Sequence, residues 1–151
     1  MQNDRSPAPP APLALLAADQ EGSLPGLLGF QWTHLRGGEI SGRLEVQKHH
    51  MAPTGFLHAA TIVAFADTAC GYGCLQSLPE RASGFTTAEL KANFIGTARE
   101  GGITCSARLV HGGRTTQVWD AEGKTEGGSG KTIALFRCTQ ILLYPDRAGS
   151  G

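Results

Sequence analysis

The stretch from residue 54 to residue 74 constrains the fold most, because it is the one long segment that does not read as a β-strand. Its residues are apolar almost all round a helix, which predicts burial on more than one side. Asp67 is the single formally charged side chain between His50 and Glu80. Burying a carboxylate costs several kcal/mol unless it is compensated, so Asp67 is a functional-site candidate. A structural aspartate, satisfied by a backbone N–H or a hydroxyl at a subunit contact, is the alternative that these residues leave open.

The segments around this helix predict β-strands. The helix is expected over about residues 57–77, ended by Pro79. Before it, two short runs flank a Gly-Gly turn and predict a hairpin, and after residue 84 the apolar period changes from helical to two, which predicts four antiparallel strands. We therefore expect an α+β fold, with an antiparallel sheet of five to six strands wrapped around one long central helix. One helix cannot cover both faces of such a sheet, so at least a dimer is predicted.

The domain boundaries follow from composition. The 151 residues suit one domain, placed at residues 13–145, with a short helix over 13–20 and a loop over 22–29. Four prolines within residues 1–12 predict a mobile tail, and residues 146–151 are expected to be a frayed C-terminal tail.

The charge balance and the cysteines exclude several classes of partner. Lys+Arg and Asp+Glu both number 13, so the net charge of zero argues against nucleic acid and an anionic membrane surface. The longest uncharged apolar run, residues 56–66, is too short to span a bilayer. The chain has four cysteines, no Cys-x-x-Cys pair and no secretory leader, which predicts a reduced, cytoplasmic protein.

The start of the helix is the second candidate for chemistry. His58 lies nine residues before Asp67, about 900° of helical rotation, so the two side chains face opposite sides. We expect His58 at the helix start, where the N–H groups of Ala59 and Ala60 lack intrahelical acceptors and can hold an oxyanion. A histidine that only caps or packs near the loop is the alternative. Beside Asp67, the missing side chain of Gly71 would leave room for a ligand or another chain.

Two further patterns favour simpler explanations. Residues 126–132 look like a phosphate loop, but the pattern needs glycine at Thr125 and a following helix, whereas strands are predicted on both sides. A flexible hairpin loop is the preferred interpretation. The case for a metal site is weaker still, because its candidate ligands do not have the spacing of a closed four-ligand site. These candidates are His49, His50, His58, Cys70 and Cys74.

Three segments of the chain together resemble a known family. Gly-x-x-His-Ala-Ala at 55–60, Ala-Asp-Thr-Ala at 66–69 and Leu-x-x-Asn-Phe at 90–94 are similar to hotdog-fold acyl-CoA thioesterases of the phenylacetic-acid-degradation and 4-hydroxybenzoyl-CoA thioesterase type. The resemblance covers roughly residues 27–144. It implies hydrolysis of an aryl- or medium-chain acyl-CoA by a homodimer or homotetramer with its active site at the subunit interface, without a metal or organic cofactor.

The resemblance also implies roles for individual residues. Asp67 would act as general base or nucleophile on the thioester, the N–H of Ala59 would polarise its carbonyl, and His58 would shape the turn. The residues expected to bind substrate, with the two arginines placed at the CoA phosphates, are His50, Gly55, Ala60, Gly71, Thr86, Arg99 and Arg114.

The chain departs from the family pattern at several positions. The family usually has His-Gly-Gly where this chain has Ala59 and Ala60 after the histidine, and some members have a hydroxyl at the position of Gly71. Many members carry an amide where this chain has Ala52. The group that orients a water molecule or the carbonyl is then either missing or supplied by His50. The missing amide motivates the alternative of a non-catalytic acyl-CoA binder. A hydratase fits less well, because those enzymes usually have Pro-Gly after the histidine.

Overall fold

A computed structural model describes residues 11–128 and 130–147 of the chain. Within them, the helices are α1 (Ala11–Asp19), α2 (Leu24–Leu28) and α3 (Ala59–Gln76), with a 3-10 turn at Lys48–His50. The strands are β1 (Gln31–Arg36), β2 (Glu39–Glu45), β3 (Gly84–Phe94), β4 (Gly102–Gly112), β5 (Thr116–Thr125) and β6 (Thr132–Leu143). They form a single antiparallel sheet in the order β1-β2-β4-β5-β6-β3. The predicted α+β architecture of a hairpin, a long helix and four strands is confirmed.

The sheet wraps around α3, which packs against all six strands. We call the face of the sheet that contacts α3 the inner face and the opposite one the outer face. The core lies between the inner face and α3, where Phe65 and Ala69 of the helix and Trp119 of β5 are almost completely buried. The close approach depends on Gly73, because a Cβ at that position would lie 2.6 Å from the Trp119 ring. The helix is therefore held against the sheet along its length.

Helix α1 packs against this core. Leu13 and Leu16 of α1 are buried, as the predicted helix over residues 13–20 required. Gln20 then links α1 to the sheet: its Nε2 donates to the carbonyl of Phe30 at 2.7 Å, and its Oε1 accepts from Trp32 Nε1 at 2.9 Å. The N-terminal segment is thus tied to the aromatic part of the core.

The structure corrects two boundaries near the N-terminus. The segment predicted as a loop over residues 22–29 contains α2, with Pro25 in its first turn and Gly29 in the left-handed conformation (φ +83°) at its end. Helix α1 begins at Ala11, inside the segment that the sequence predicted as a tail. The predictions for residues 1–10 and 148–151 lie outside the described residues.

A β-bulge in β3 decides which residues of this edge strand face the helix. The register against β6 shifts between Thr87 and Glu89. Before the bulge Phe85 and Thr87 lie on the inner face, and after it the inner face is taken by Leu90, Ala92 and Phe94, opposite the buried residues of β6. An inserted residue reverses the alternation of side chains. The uninterrupted alternation predicted from the sequence, with Thr86 on the same face as Leu90, is therefore wrong.

Candidate active site

His58 caps the N-terminus of α3. Its backbone is extended (φ −67°, ψ 133°), and its Nδ1 accepts a hydrogen bond from the N–H of Ala60 at 2.9 Å. Its carbonyl accepts from the N–H of Thr61 at 3.0 Å. The N–H of Ala59 has no acceptor among the described residues. The sequence predicted that two N–H groups would be available for an oxyanion. In the structure the N–H of Ala59 is available, whereas the N–H of Ala60 is hydrogen-bonded to the capping ring of His58.

An apolar cavity lies beside this helix end. It has a volume of about 250 Å³ and is lined by Phe56, Leu57, Ala59, Ile62, Phe94, Gly96 and Thr97. The guanidinium of Arg99 lies 4.8 Å from the centroid of the Phe56 ring, as in a cation–π contact. The N–H of Leu57 donates to Thr97 Oγ1 at 3.2 Å, which fixes the segment that enters the helix. Ala59, whose N–H is available, therefore lines a cavity that suits an uncharged, apolar group.

Asp67 lies half-buried between α3 and β3. Its Oδ1 accepts from Thr87 Oγ1 at 3.2 Å, and no lysine, arginine or histidine of the described residues forms an ion pair with it. Burial raises the pKa of Asp67, and the hydrogen bond from Thr87 partly opposes that rise. A carboxyl group with a raised pKa accepts a proton more readily than an exposed one, which suits a general base.

Thr87 and Gln140 are site residues that sequence reasoning missed. Gln140 lies directly opposite Thr87 in the β3–β6 ladder, is fully buried, and its Oε1 lies 2.8 Å from Thr87 Oγ1. Thr86, which the sequence predicted as a site residue, is exposed opposite Ile141 on the outer face. The bulge explains this correction. The sequence does contain a signal for Gln140, because it is a polar residue on the otherwise apolar face of β6. It contains no signal for the bulge, because no glycine or proline stands at that point of β3.

His50 does not reach the site. The residue is 1% exposed, its Nε2 lies 2.7 Å from the carbonyl of Leu28, and its Nδ1 accepts from the N–H of Gln47 at 2.9 Å. Its own carbonyl accepts from the N–H of His58 at 3.0 Å. The structure therefore corrects the expected role: both ring nitrogens are occupied, and His50 anchors the start of α3 instead of replacing an amide at Ala52.

The space beside Gly71 is also taken. A Cβ on Gly71 would lie 2.8 Å from Cζ of Phe85, so the ring of Phe85 occupies the volume expected for a ligand. Gly55 is exposed in the connector before α3 with φ +85°, a conformation that favours glycine. The structure thus gives Gly71 a packing role and Gly55 a turn-forming one.

Arg114 lies away from the helix start, in the turn between β4 and β5. It lines a cleft of about 610 Å³ together with Arg81, Arg147, Glu80 and Tyr144. None of the three arginines forms an ion pair within the described residues. The structure therefore separates the two arginines predicted from the sequence: Arg99 lies beside the apolar cavity, and Arg114 in this cleft.

Ala59 and Asp67 lie too far apart to act together within one chain. Eight residues of α-helix span about 12 Å along the axis, a little more than two turns. A thioester carbonyl and the water or carboxylate that attacks it lie within about 3.5 Å of each other. The two groups therefore need either separate sites or a second copy of the chain.

The fold and this arrangement define a hotdog-fold protein with a half-buried carboxylate on its central helix. Comparison with known proteins goes further: residues 54–131 match the family model of the Thioesterase superfamily. The chain belongs to this superfamily, and it is a thioester hydrolase. The resemblance to hotdog-fold thioesterases seen in the sequence is confirmed.

Three similar proteins illustrate the relationship. PA1618 of Pseudomonas aeruginosa is 30% identical over 141 residues, 91% of this chain and 94% of its own length. The crystal structure of a mutant form of this thioesterase superposes with a TM-score of 0.82, covering 93% of this chain and 98% of that one at 26% identity. The thioesterase HI1161 of Haemophilus influenzae superposes with a TM-score of 0.81 at 26% identity, covering 87% and 90%. The 1,4-dihydroxy-2-naphthoyl-CoA hydrolase of Escherichia coli is 29% identical over 134 residues, 87% of this chain and 94% of its own length.

Two remaining properties bear on the kind of site. No three His, Cys, Asp or Glu side chains in residues 11–128 and 130–147 form a group that could hold a metal ion. In the same part of the chain, no helix is long and apolar enough to cross a membrane.

Proposed function

We propose that this protein hydrolyses an aryl- or medium-chain acyl-CoA thioester to the free acid and CoA. The observation that carries the proposal is the pair of groups on α3: the N–H of Ala59, which has no acceptor among the described residues, and the half-buried carboxyl of Asp67. An oxyanion donor and a positioned carboxylate are the two groups that thioester hydrolysis needs. The family to which the chain belongs supports the reaction type.

Each of these residues has its own role in the proposed reaction. The carboxylate of Asp67 removes a proton from a water molecule whose oxygen attacks the thioester carbonyl carbon. Alternatively, the carboxylate attacks that carbon itself, and a water molecule hydrolyses the resulting acyl-enzyme anhydride after CoA has left. The N–H of Ala59 holds the oxyanion that forms, with His58 keeping the helix start in place. The C–S bond then breaks, and CoA leaves as a thiolate that takes up a proton. No cofactor takes part in these reaction steps.

The active site is shared between two copies of the chain in this proposal. Asp67 of one copy and Ala59 of the other would face the same thioester, because about 12 Å of helix separates them within one copy. The exposed apolar side chains of edge strand β3 and the segment that follows support a partner here: Leu90, Phe94 and Ile95 are 41%, 47% and 57% exposed. A homodimer or homotetramer would cover them.

The acyl group and the CoA end would use different surfaces. The cavity beside Ala59, with Phe56, Ile62 and Phe94 in its lining, fits an aromatic or aliphatic acyl group. The similarity to hydrolases of 1,4-dihydroxy-2-naphthoyl-CoA from Escherichia coli and Listeria monocytogenes supports an aryl substrate. Arg99 and Arg114 are the proposed ligands of the CoA phosphates, since guanidinium groups bind phosphate in a bidentate manner.

A non-catalytic acyl-CoA binder is the second candidate. Ala52 supplies no side-chain amide to orient a water molecule or carbonyl, and the buried ring of His50 does not replace it. The half-buried carboxyl of Asp67 beside Thr87 favours the hydrolase, because carboxyl groups with pKa values raised by burial cluster at catalytic sites.

Release of CoA thiol from a panel of aryl and aliphatic CoA thioesters tests the proposal. Asp67→Asn should lower kcat by about a hundredfold or more. The matched control is Asp146→Asn, which changes an exposed aspartate near the C-terminus and should leave kcat unchanged. Full activity of Asp67→Asn would remove the proposed role of Asp67. Binding of the thioester without turnover by the unmodified protein would favour the second candidate.

A further inference from the structure

Gln140 is a polar side chain in a position that packing alone would fill with an apolar one. It is 0% exposed, and its neighbours on the inner face of β6 are Cys138 and Leu142, both buried and apolar. Burying an amide costs free energy unless its hydrogen bonds are satisfied. The amide has two contacts: Oε1 lies 2.8 Å from Thr87 Oγ1, and Nε2 lies 3.5 Å from Cys138 Sγ.

The hydroxyl of Thr87 stands between two acceptors. Its Oγ1 lies 3.2 Å from Asp67 Oδ1 and 2.8 Å from Gln140 Oε1. A hydroxyl carries one proton, so it can donate to only one of them at a time. Both contacts become hydrogen bonds when Asp67 is protonated, because the carboxylic acid then donates to Thr87 and Thr87 donates to Gln140. When Asp67 is ionised, Thr87 donates its single proton to the carboxylate. The shorter contact, between Thr87 Oγ1 and Gln140 Oε1, then has no hydrogen between its two oxygens.

We propose that Gln140 is a positioning residue that acts on Asp67 through Thr87, by completing a hydrogen-bond chain that forms when Asp67 takes up a proton. The inference rests on the proposed role of Asp67 as general base. A base that removes a proton from water must hold that proton until the leaving thiolate takes it up. The chain from Asp67 through Thr87 to Gln140 stabilises this protonated form, whereas Thr87 alone stabilises the carboxylate.

Among the described residues, the ionisable group that interacts with Asp67 is the thiol of Cys70, which lies about one turn further along α3. Cys70 in turn contacts Cys138 of β6 and lies near Cys105 of β4. The contact with Cys138 and burial raise the pKa of Cys70 well above its usual range. Burial raises the pKa of Cys105 to about 12. No basic side chain of the described residues pairs with Asp67, so a proton equilibrium measured at its carboxyl reports the hydrogen bond with Thr87 and, through Thr87, the contact with Gln140.

The test compares variants that remove one member of the chain at a time. Thr87→Val removes both the donor to the carboxylate and the chain to Gln140. Because a hydrogen bond to a charged carboxylate is stronger than the neutral bonds of the chain, the pKa of Asp67 should rise. Gln140→Leu leaves Thr87 free to donate to the carboxylate alone, so the pKa of Asp67 should fall and kcat should decrease about tenfold, the rate equivalent of one hydrogen bond. Thr87→Ser keeps the hydroxyl and should restore the behaviour of the unmodified protein. The pKa of Asp67 should shift in opposite directions in Thr87→Val and Gln140→Leu, which a purely structural role of Gln140 would not produce.

Gln117 provides the matched control. It is a second buried glutamine, on the inner face of β5, and its amide binds the carbonyl of Ser77 and the indole of Trp119, both at 2.8 Å. Gln117→Leu should lower the thermal stability without moving the pKa of Asp67. If Gln140→Leu fails to fold, Gln140→Met tests the same loss with an unbranched side chain of similar length.

Two readouts keep this inference separate from the proposed function. The first is the titration of the Asp67 carboxyl carbon by carbon-13 NMR, assigned by its loss in Asp67→Asn. The second is the pH profile of kcat/KM. Both should move down in pH for Gln140→Leu and up for Thr87→Val. An unchanged or raised pKa in Gln140→Leu would overturn the inference even in an active enzyme, whereas an active Asp67→Asn would overturn the proposed function whatever the titration shows.

Discussion

His58 Nδ1 lies 2.9 Å from the backbone nitrogen of Ala60 and accepts its hydrogen. This one bond decides which N–H at the start of α3 remains available. The His58 ring accepts the N–H of Ala60, and the His58 backbone carbonyl accepts the N–H of Thr61. The N–H of Ala59 has no acceptor among the described residues and is therefore available to a ligand. The positive end of the helix dipole adds to its attraction for a developing oxyanion.

The cap at His58 leads to the first prediction. His58→Ala should lower the free energy of unfolding by about 1 kcal/mol, the usual value of a helix N-cap, and should lower kcat because the start of α3 loses its fixed geometry. His58→Asn is the control, since asparagine is a strong N-cap and should recover the stability. Urea denaturation and thiol release measure both effects. Equal stabilities of the alanine and asparagine variants would contradict the capping role.

The buried carboxyl of Asp67 predicts an unusual pH dependence of stability. Burial raises its folded-state pKa above the unfolded value, so its stabilising contribution is complete below the unfolded pKa and is lost as the pH rises through the folded pKa. Asp67→Asn should therefore be more stable than the unmodified protein at pH 7, with the difference disappearing in acid. Thermal melts between pH 3 and pH 8 measure this; the pH range is chosen to bracket carboxyl titration, at about 4 in unfolded chains.

Asp120 supplies the control of opposite sign. Its hydrogen bonds to Arg137 hold the pKa of this carboxyl below its usual range. The stability it contributes is present above the unfolded pKa and is lost as the pH falls through the folded one. Asp120→Asn should therefore destabilise the protein at pH 7 and lose its effect in acid. The same sign of effect for Asp67→Asn would mean that burial does not dominate at Asp67.

The two glycines in α3 should respond differently to a methyl group. Gly73→Ala places a Cβ 2.6 Å from the fully buried Trp119 ring, and such overpacking costs about 1–3 kcal/mol. Gly71→Ala meets the half-buried Phe85 ring at 2.8 Å, which can move towards solvent, so its cost should be smaller. Gly37→Ala, with nothing within 4 Å, is the neutral control. A Gly73→Ala protein as stable as the Gly37→Ala protein would contradict the tight packing of helix on sheet.

The four cysteines should be unreactive in the folded protein. All are buried, and burial raises the pKa of Cys74 to about 11 and that of Cys105 to about 12. Since the thiolate is the reactive form, a thiol-specific chromogenic reagent should label them only after unfolding in denaturant. Rapid labelling of the native protein at neutral pH would show that α3 separates from the sheet far more often than its packing indicates.

The sequence predicted the fold, and it placed the two groups proposed for catalysis on one helix, because each of these depends on a local pattern. The apolar run around Asp67 and the two-residue period after residue 84 are sufficient for a helix within an antiparallel sheet. The bulge after Thr87 has no such pattern, since an alanine stands at the inserted position and only pairing with β6 reveals the shift. The burial of His50 likewise depends on a contact with Leu28, which is 22 residues earlier in the chain.

The central claim, a hydrolase whose site is shared between two copies, is tested most directly by mixing two inactive variants. Ala59→Pro removes the N–H at the first position of α3, where proline is well tolerated, and Asp67→Asn removes the carboxylate. When the two variants are unfolded together and refolded, half of the dimers should be mixed, each with one intact site. Thiol release should then recover to about a quarter of the unmodified activity. Two inactive variants that stay inactive after mixing, although mixed dimers are present, would contradict the shared site.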